Sequence, residues 1–478
     1  MKIFKTFALI ALIFCISGQL EAQKSITLNV NSGNYARENS VACFQWAQTQ
    51  IADPAGIELT ELVDGKKMKT DCQLEKTPEG TQLCWILSGK TPANSTRTFV
   101  AEIKNIAKKE NLIMKLEDKN GGLTIKEGSL PVLRYVYRTV YPPAGIDTAY
   151  KRSGFIHPAW SPSGDTLTTI QPKDHYHHYG IWNPWTKLEY DGEIYDLWNL
   201  RDRKGTVKFE SFRETTEGPV YAGFKALQGH YIFPDGTESN AKEIMEEIWD
   251  IKVWNQPKGE GFLWDFGSEL HPNTALPVIL KTYRYAGFAI RATEVWTNKN
   301  AVMYTSEGKN RPEIDGIKAR WIYLTGECKH GKAGILFMSH PANYNAPEPL
   351  RIWDQNANGG RGDTFINFAP TKDTDWILES GKKYRLNYRV FQYDGEITPE
   401  KAEQLWTDYA YPVTIEIIKY IGENLHNREN LLNTHTHTHT HTHTHTHTAA
   451  NITLFFQLTN PVCERNNIAY GIFHFKFL

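Results

Sequence analysis

From Ser25 onward the apolar residues of this chain tend to alternate with polar ones instead of recurring at helical spacing. That period sends successive side chains to opposite faces of a strand. In Trp249 to Trp254, apolar Trp249, Ile251 and Val253 alternate with Asp250, Lys252 and Trp254, the pattern of a strand with one covered face. Short runs between Ser25 and about Glu102 (SITLNV, GIELTEL, QLCWIL, TRTFVAEI) are separated by Gly, Pro and Asp turns and predict a small, immunoglobulin-like antiparallel β-sandwich. From Leu112 to Asp408 the runs lengthen (LPVLRYVYRTVYP, VYAGFKALQGHYIF, LPVILKTYRYAGFAIRATEVW), and so many long strands require a large antiparallel double sheet. Helix is confined to short pieces, the best being Thr398 to Tyr409, with Thr398 as cap and Pro399 at the first position.

The ends of the chain differ from this pattern. Lys2 and Lys5, an apolar run from Phe7 to Ile16 and the small-residue stretch ending at Ala22 have the layout of a cleaved secretory leader. We therefore expect an exported protein, periplasmic or extracellular, with no membrane span after leader cleavage. Beyond about residue 425, Thr and His alternate strictly from Thr434 to Thr448. A chelating tail is one reading of that run, and a translated CA dinucleotide repeat, slipped out of frame, is the other. The division expected is thus a leader over 1–22, an accessory sandwich over 23–105, a large all-β sandwich carrying the site over 106–425, and a tail over 426–478.

Composition narrows the partner. The 478 residues carry a formal charge of -1 with acids and bases interspersed, so no field recruits nucleic acid or an anionic membrane. Aromatic residues make up 12%, including 14 Trp, which suits stacking on flat ligands as well as β-structure. A small-molecule or glycan ligand fits both facts. Cys72 and Cys84 flank the turn Thr77-Pro78-Glu79-Gly80, so an exported hairpin would bring them nearly opposite for oxidation, or bury them as two small residues. Cys43, Cys328 and Cys463 show no metal-ligand spacing.

Candidate chemistry concentrates between Arg152 and Trp198, where His157, His175, His177 and His178 stand among Trp, Tyr and Asp residues. On a strand, His175 and His177 would point together as the start of a divalent-metal site needing a third ligand, whereas in a loop entered at Pro172 no such rule holds. Trp182, Trp185, Tyr190, Tyr195 and Trp198 offer flat faces for sugar C–H bonds, with Asp196 and His175 for hydroxyls. Arg291 could clamp a carboxylate or a hydroxyl pair. Glu307, in the turn Ser306-Glu307-Gly308, is a candidate base, and His178 or His340 a candidate acid beside Asn343. Arg361 to Asp363 spells an adhesion tripeptide but follows Gly359-Gly360 as an ordinary loop would.

Seven stretches in order, FIHPAWSPSGDTLT, PKDHYHHYGIWNPW, DLW, YRYAGFAIRA, TSEGKNR, DGIKARWIYLTGE and GILFMSHPANYNAPEPLRIW, resemble a bacterial family known as PmoA-like, or methane oxygenase PmoA, over roughly residues 130 to 360. The resemblance implies a sandwich of the galactose-mutarotase supersandwich kind, in bacteria that degrade glycans. Three functional readings follow. One is a carbohydrate-active enzyme of lyase, epimerase or hydrolase type working through His and carboxylate acid–base chemistry. The second is a non-catalytic glycan-binding protein, and the third a metal-dependent oxidase or oxygenase, as the family label suggests.

Overall fold

The computed structural model describes residues 24–46, 56–77, 80–104 and 112–421. The expected leader and the Thr–His tail with Cys463 lie outside the described residues. Among those described, strands predominate, the sheets are antiparallel, and no helix is long and apolar enough to cross a membrane.

The N-terminal sandwich sets a five-stranded sheet against a three-stranded one. Strand Ser25–Asn31 alternates as its sequence predicts, with Ile26, Leu28 and Val30 fully buried against Trp85, Phe99 and Trp46. Its sheet also takes in a strand from far beyond residue 105, because Thr414–Ile421 pairs with Ser25–Asn31 along its length. Of the two readings of Cys72 and Cys84, the bridge between them does not form. Cys72 stands opposite Trp85 and Cys84 opposite Gln73, and a one-residue offset in a ladder turns two side chains to opposite faces. Cys84 instead faces Cys43 on the neighbouring strand Arg37–Gln45, 4.2 Å away between Cα atoms, and the two are disulfide-bonded.

The larger part is a β-sandwich of two eight-stranded sheets. Tyr135 of the first sheet packs its ring on Phe224 and Trp249 of the second, at 4.9 and 5.7 Å, and Phe288 stacks on Tyr388 at 4.4 Å. In strand Lys242–Trp254, residues Trp249, Ile251 and Val253 enter this core as the alternation predicts. Trp254, expected on an open face, is only 4% exposed. The outer face of its sheet is covered by helix Pro399–Ala410 and by Cys84 and Ile86 of the small sandwich, so both faces are buried. Thr398 caps that helix by accepting from Lys401 N at 3.2 Å.

The first sheet is the one that matters for the site. Its central strands are short, Ile181–Trp182 and Ala289–Arg291, and the chain leaves them at once for long loops. Those loops, with the segment around Leu350–Ile352 and Phe365–Phe368, gather at one place.

Candidate functional site

The histidine segment is a pair of tight turns and not a strand, since His175 N donates to Pro172 O at 2.9 Å and His178 N to His175 O at 3.0 Å. Folding in this way brings all three imidazoles together: the His175, His177 and His178 rings lie 4.7 to 5.4 Å apart between centroids. Gly180 ends the segment at φ 56°, and a Cβ there would come within 2.2 Å of Ile156 O, so only glycine lets the loop close onto the sheet.

Each imidazole has a different setting. His178 is 2% exposed, stacked on Phe365 at 5.2 Å and backed by Trp182 at 5.1 Å. Its Nδ1 has no hydrogen-bond partner, and burial, with the neighbouring His177 and Arg291, drives its pKa well down. Burial likewise pushes His177 down to about 3, aided by His175. Both rings are therefore neutral. His175 is the outward member, and its Nδ1 lies 2.8 Å from Asp174 Oδ2. Asp174 in turn accepts from Arg291 Nη2 at 3.0 Å and from Asn358 Nδ2 at 3.0 Å. Burial alone would raise this carboxyl, but the bond to His175 and the charge of Arg291 outweigh it and hold Asp174 well below the usual range.

The three histidines open onto a cavity of about 600 Å³. Trp198, Trp353, Tyr285 and Phe365 give it aromatic surface, and Asn199, Asn356 and Asn358 stand among its polar lining. Arg291 lies beneath, its guanidinium 4.6 Å from the Trp353 ring and its side chain 1% exposed. Asp363, the last residue of the adhesion-like tripeptide, is buried and bonds Asn358, so this segment supports the site from behind. A second cavity of about 390 Å³ includes Lys151, Lys208 and Arg203, but Glu238 pairs with both lysines and Asp147 with the arginine. Arg152, also on its lining, is buried and donates to Leu197 O at 3.3 Å, and the cavity holds none of the histidines.

The expected site residues divide accordingly. His175, His177, His178 and Trp198 line the cavity, with Trp182 and Arg291 directly behind. Asp196 does not face it. Its carboxylate caps the Trp198 and Asn199 backbone N–H groups, each at 2.8 Å, and so places the lining residues. His157 is tied to Thr168 Oγ1 at 2.9 Å, and burial lowers it to about 4. Trp185, Tyr190 and Tyr195 are core residues.

The structure does not bring His340, Glu307 or Asn343 to this cavity. His340 accepts from Ala342 N at 3.1 Å and sets its edge against Tyr409 of the terminal helix. Glu307 stays in an exposed turn beside Arg320. Asn343 is buried in a polar knot with Glu348 at 2.8 Å and Ser339 at 3.3 Å, where its amide serves packing. The metal expectation for His175 and His177 also lacks its third ligand: among the described residues no three His, Cys, Asp or Glu side chains are disposed to hold an ion. The rings of His175 and His178 are stacked face to face, 30° between planes, and His175 Nδ1 is taken by Asp174. Residue-by-residue reading missed Asp174, Tyr285, Trp353, Asn358 and Phe365. Three of them, Asp174, Tyr285 and Trp353, stand in the quoted stretches PKDHYHHYGIWNPW, YRYAGFAIRA and the one ending in LRIW, but nothing in those stretches says which side chain faces out.

Among solved structures, this chain is similar to a protein in the glycosyl hydrolase family 38 from Enterococcus faecalis, at 8% identity and a TM-score of 0.36, covering 83% of this chain and 47% of that one. An alpha-mannosidase from Enterococcus faecalis V583 is similar at 9% identity and a TM-score of 0.38, over 83% and 46%. The chain thus spans less than half the length of either. A galactose mutarotase related enzyme from Lactobacillus acidophilus aligns over 59% of this chain and 100% of its own, at 9% identity and a TM-score of 0.24. No curated protein matches the sequence. The PmoA-like assignment is overturned, because the family that matches, over residues 122–407 and hence more than half of the chain, is a different one. The chain belongs to DUF6807, a family of unknown function.

Proposed function

We propose that this is an exported carbohydrate-active enzyme whose cavity binds a saccharide and whose His175, oriented by Asp174, transfers the proton. The observation that carries the reading is the 2.8 Å contact between His175 Nδ1 and Asp174 Oδ2 at an aromatic-lined cavity. A carboxylate on one ring nitrogen fixes the imidazole's tautomer and aims the other nitrogen at a ligand, the arrangement that acid–base catalysis requires. Flat rings such as Trp353 suit the C–H faces of a pyranose, and the lining amides of Asn199, Asn356 and Asn358 suit its hydroxyls. Export is inferred from the N-terminal sequence.

The test is a glycan panel read twice, by calorimetric binding and by product formation. Wild type should bind and turn over at least one glycan. His175→Ala and Asp174→Asn should still bind it while losing about a hundredfold or more in kcat. If a glycan binds but no product ever forms, the non-catalytic binding reading replaces the enzyme. If nothing in the panel binds, the carbohydrate reading falls.

A further inference from the structure

One part of the cavity lining carries more positive charge than its surroundings answer. Arg284 is exposed there, its guanidinium 5.3 Å from the Tyr285 ring centroid, and it makes no ion pair among the described residues. Arg351, also on the lining, gives one nitrogen to Asp315 at 3.0 Å, while its buried Nε has no hydrogen-bond partner. Lys372 reaches the same Asp315 at 3.7 Å and donates to Arg284 O at 3.4 Å. Arg351 and Lys372 therefore share one carboxylate, which leaves the Arg284 guanidinium without one. Burial lowers the pKa of Lys372, and both arginines lower it further, as crowded like charges do. Asp354, a carboxylate on the cavity lining, is turned to the Asn356 backbone N–H at 2.7 Å.

An exposed arginine poised over an aromatic ring with no carboxylate partner keeps its N–H donors open, and these match two oxygens of a carboxylate or sulfate. We propose that Arg284, with Arg351 beside the same cavity, selects an acidic saccharide, its acid group a carboxylate or a sulfate ester. This rests on the carbohydrate reading of the cavity and adds to it the substrate class. The histidine and Asp174 dyad belongs to another segment of the lining, so the arginines supply recognition and the dyad chemistry. Neutral imidazoles at His177 and His178 add no competing positive charge.

The test uses the full chain and three matched series of oligosaccharides of equal length: uronates (glucuronate, galacturonate, mannuronate), sulfate esters and neutral hexoses. Titration calorimetry at low ionic strength should give one acidic series an affinity about tenfold or more above its neutral counterpart. Added salt should erode that margin, because the contact is exposed. Arg284→Gln should collapse the preference to within about twofold, and Arg284→Lys should retain part of it. Arg284 is exposed, and an unchanged melting curve shows that the variant folds. Which acidic series gains the margin identifies the acid group. Equal affinity for acidic and neutral sugars, or a preference that survives Arg284→Gln, overturns the inference and leaves the carbohydrate reading standing. Absence of binding to every series overturns both.

Discussion

The Nδ1 atom of His175 stands 2.8 Å from Oδ2 of Asp174, and the same oxygen lies 3.0 Å from Nη2 of Arg291. One carboxylate thus joins an accessible imidazole to a cation that is 1% exposed. Asp174→Asn keeps the shape and removes the charge, leaving Arg291 with Asp363 at 3.6 Å. A stability loss of about 1–3 kcal/mol is expected alongside the loss of turnover. The pKa of Asp174 is depressed on folding, so its contribution is present above the ordinary carboxylate range and is lost as pH falls through its folded value. Melting temperatures measured down to strongly acid pH should therefore fall less steeply in Asp174→Asn than in wild type. Parallel curves would show that Asp174 carries no such linkage.

Glu348 should give the opposite dependence. It is fully buried and accepts from Ser339 Oγ at 2.7 Å, Asn343 Nδ2 at 2.8 Å and Tyr388 Oη at 2.9 Å. Burial outweighs these bonds and raises its pKa from 4.5 to about 7. The folded chain therefore holds the proton more tightly, and that stability is complete below about pH 4.5 and lost as pH rises through about 7. Wild type should lose on the order of 3 kcal/mol over this window from this group. Glu348→Gln should flatten the slope and melt above wild type at pH 8.

His340→Ala should leave glycan affinity unchanged, because His340 rests against Tyr409 and does not line the cavity. His178→Ala should weaken binding and also cost about 1–3 kcal/mol of stability, since it empties a space between Phe365 and Trp182. Equal effects of the two substitutions on affinity would mean that the cavity is not the binding site.

The disulfide joins Cys43 and Cys84 across a sequence separation of 41. In the chain-entropy account such a loop stabilises by on the order of 4 kcal/mol. Cys43→Ala and Cys84→Ala should each lower the melting temperature by several degrees, and Cys72→Ala by much less. Peptide mapping without reductant should recover Cys43 linked to Cys84, and a Cys72–Cys84 peptide would contradict the register described.

A chain ended at Pro412 should be less stable by about 1–3 kcal/mol than one ended at Ile421. The shorter chain lacks the strand paired with Ser25–Asn31 and the packing of Ile415 and Tyr420 on the small core. Identical melting curves would show that this pairing contributes nothing.

Period-two alternation made the all-β sandwich legible, and Trp249, Ile251 and Val253 point as it required. Alternation gives a residue's face without naming what lies across it. Trp254 departs from the expected open face because the helix that covers it, Pro399–Ala410, comes from much later in the chain. Flanking a turn does not give the register across it, so the spacing of Cys72 and Cys84 could not show that Cys84 faces Cys43 instead. At the site, the clustering of histidines was visible, but their arrangement depends on non-local contacts. Arg291 reaches Asp174 across 117 positions, and Trp353 meets His175 from another loop. His340 and Glu307 have suitable chemistry in turns, yet those turns sit elsewhere on the sandwich.

The pairing of Thr414–Ile421 with Ser25–Asn31 also sets an order of events during synthesis. Ser25–Asn31, the first of the described strands to leave the ribosome, cannot receive this partner until almost the whole sandwich has been translated, roughly 20–80 s later at ordinary elongation rates. Throughout that interval Ser25–Asn31 presents one unfilled row of backbone donors and acceptors, a template for any passing extended segment. Among the described residues the late strand thus takes over the edge position: a product terminated before residue 414 exposes Ser25–Asn31 there, whereas the longer chain covers that row and presents the outer edge of Thr414–Ile421 instead.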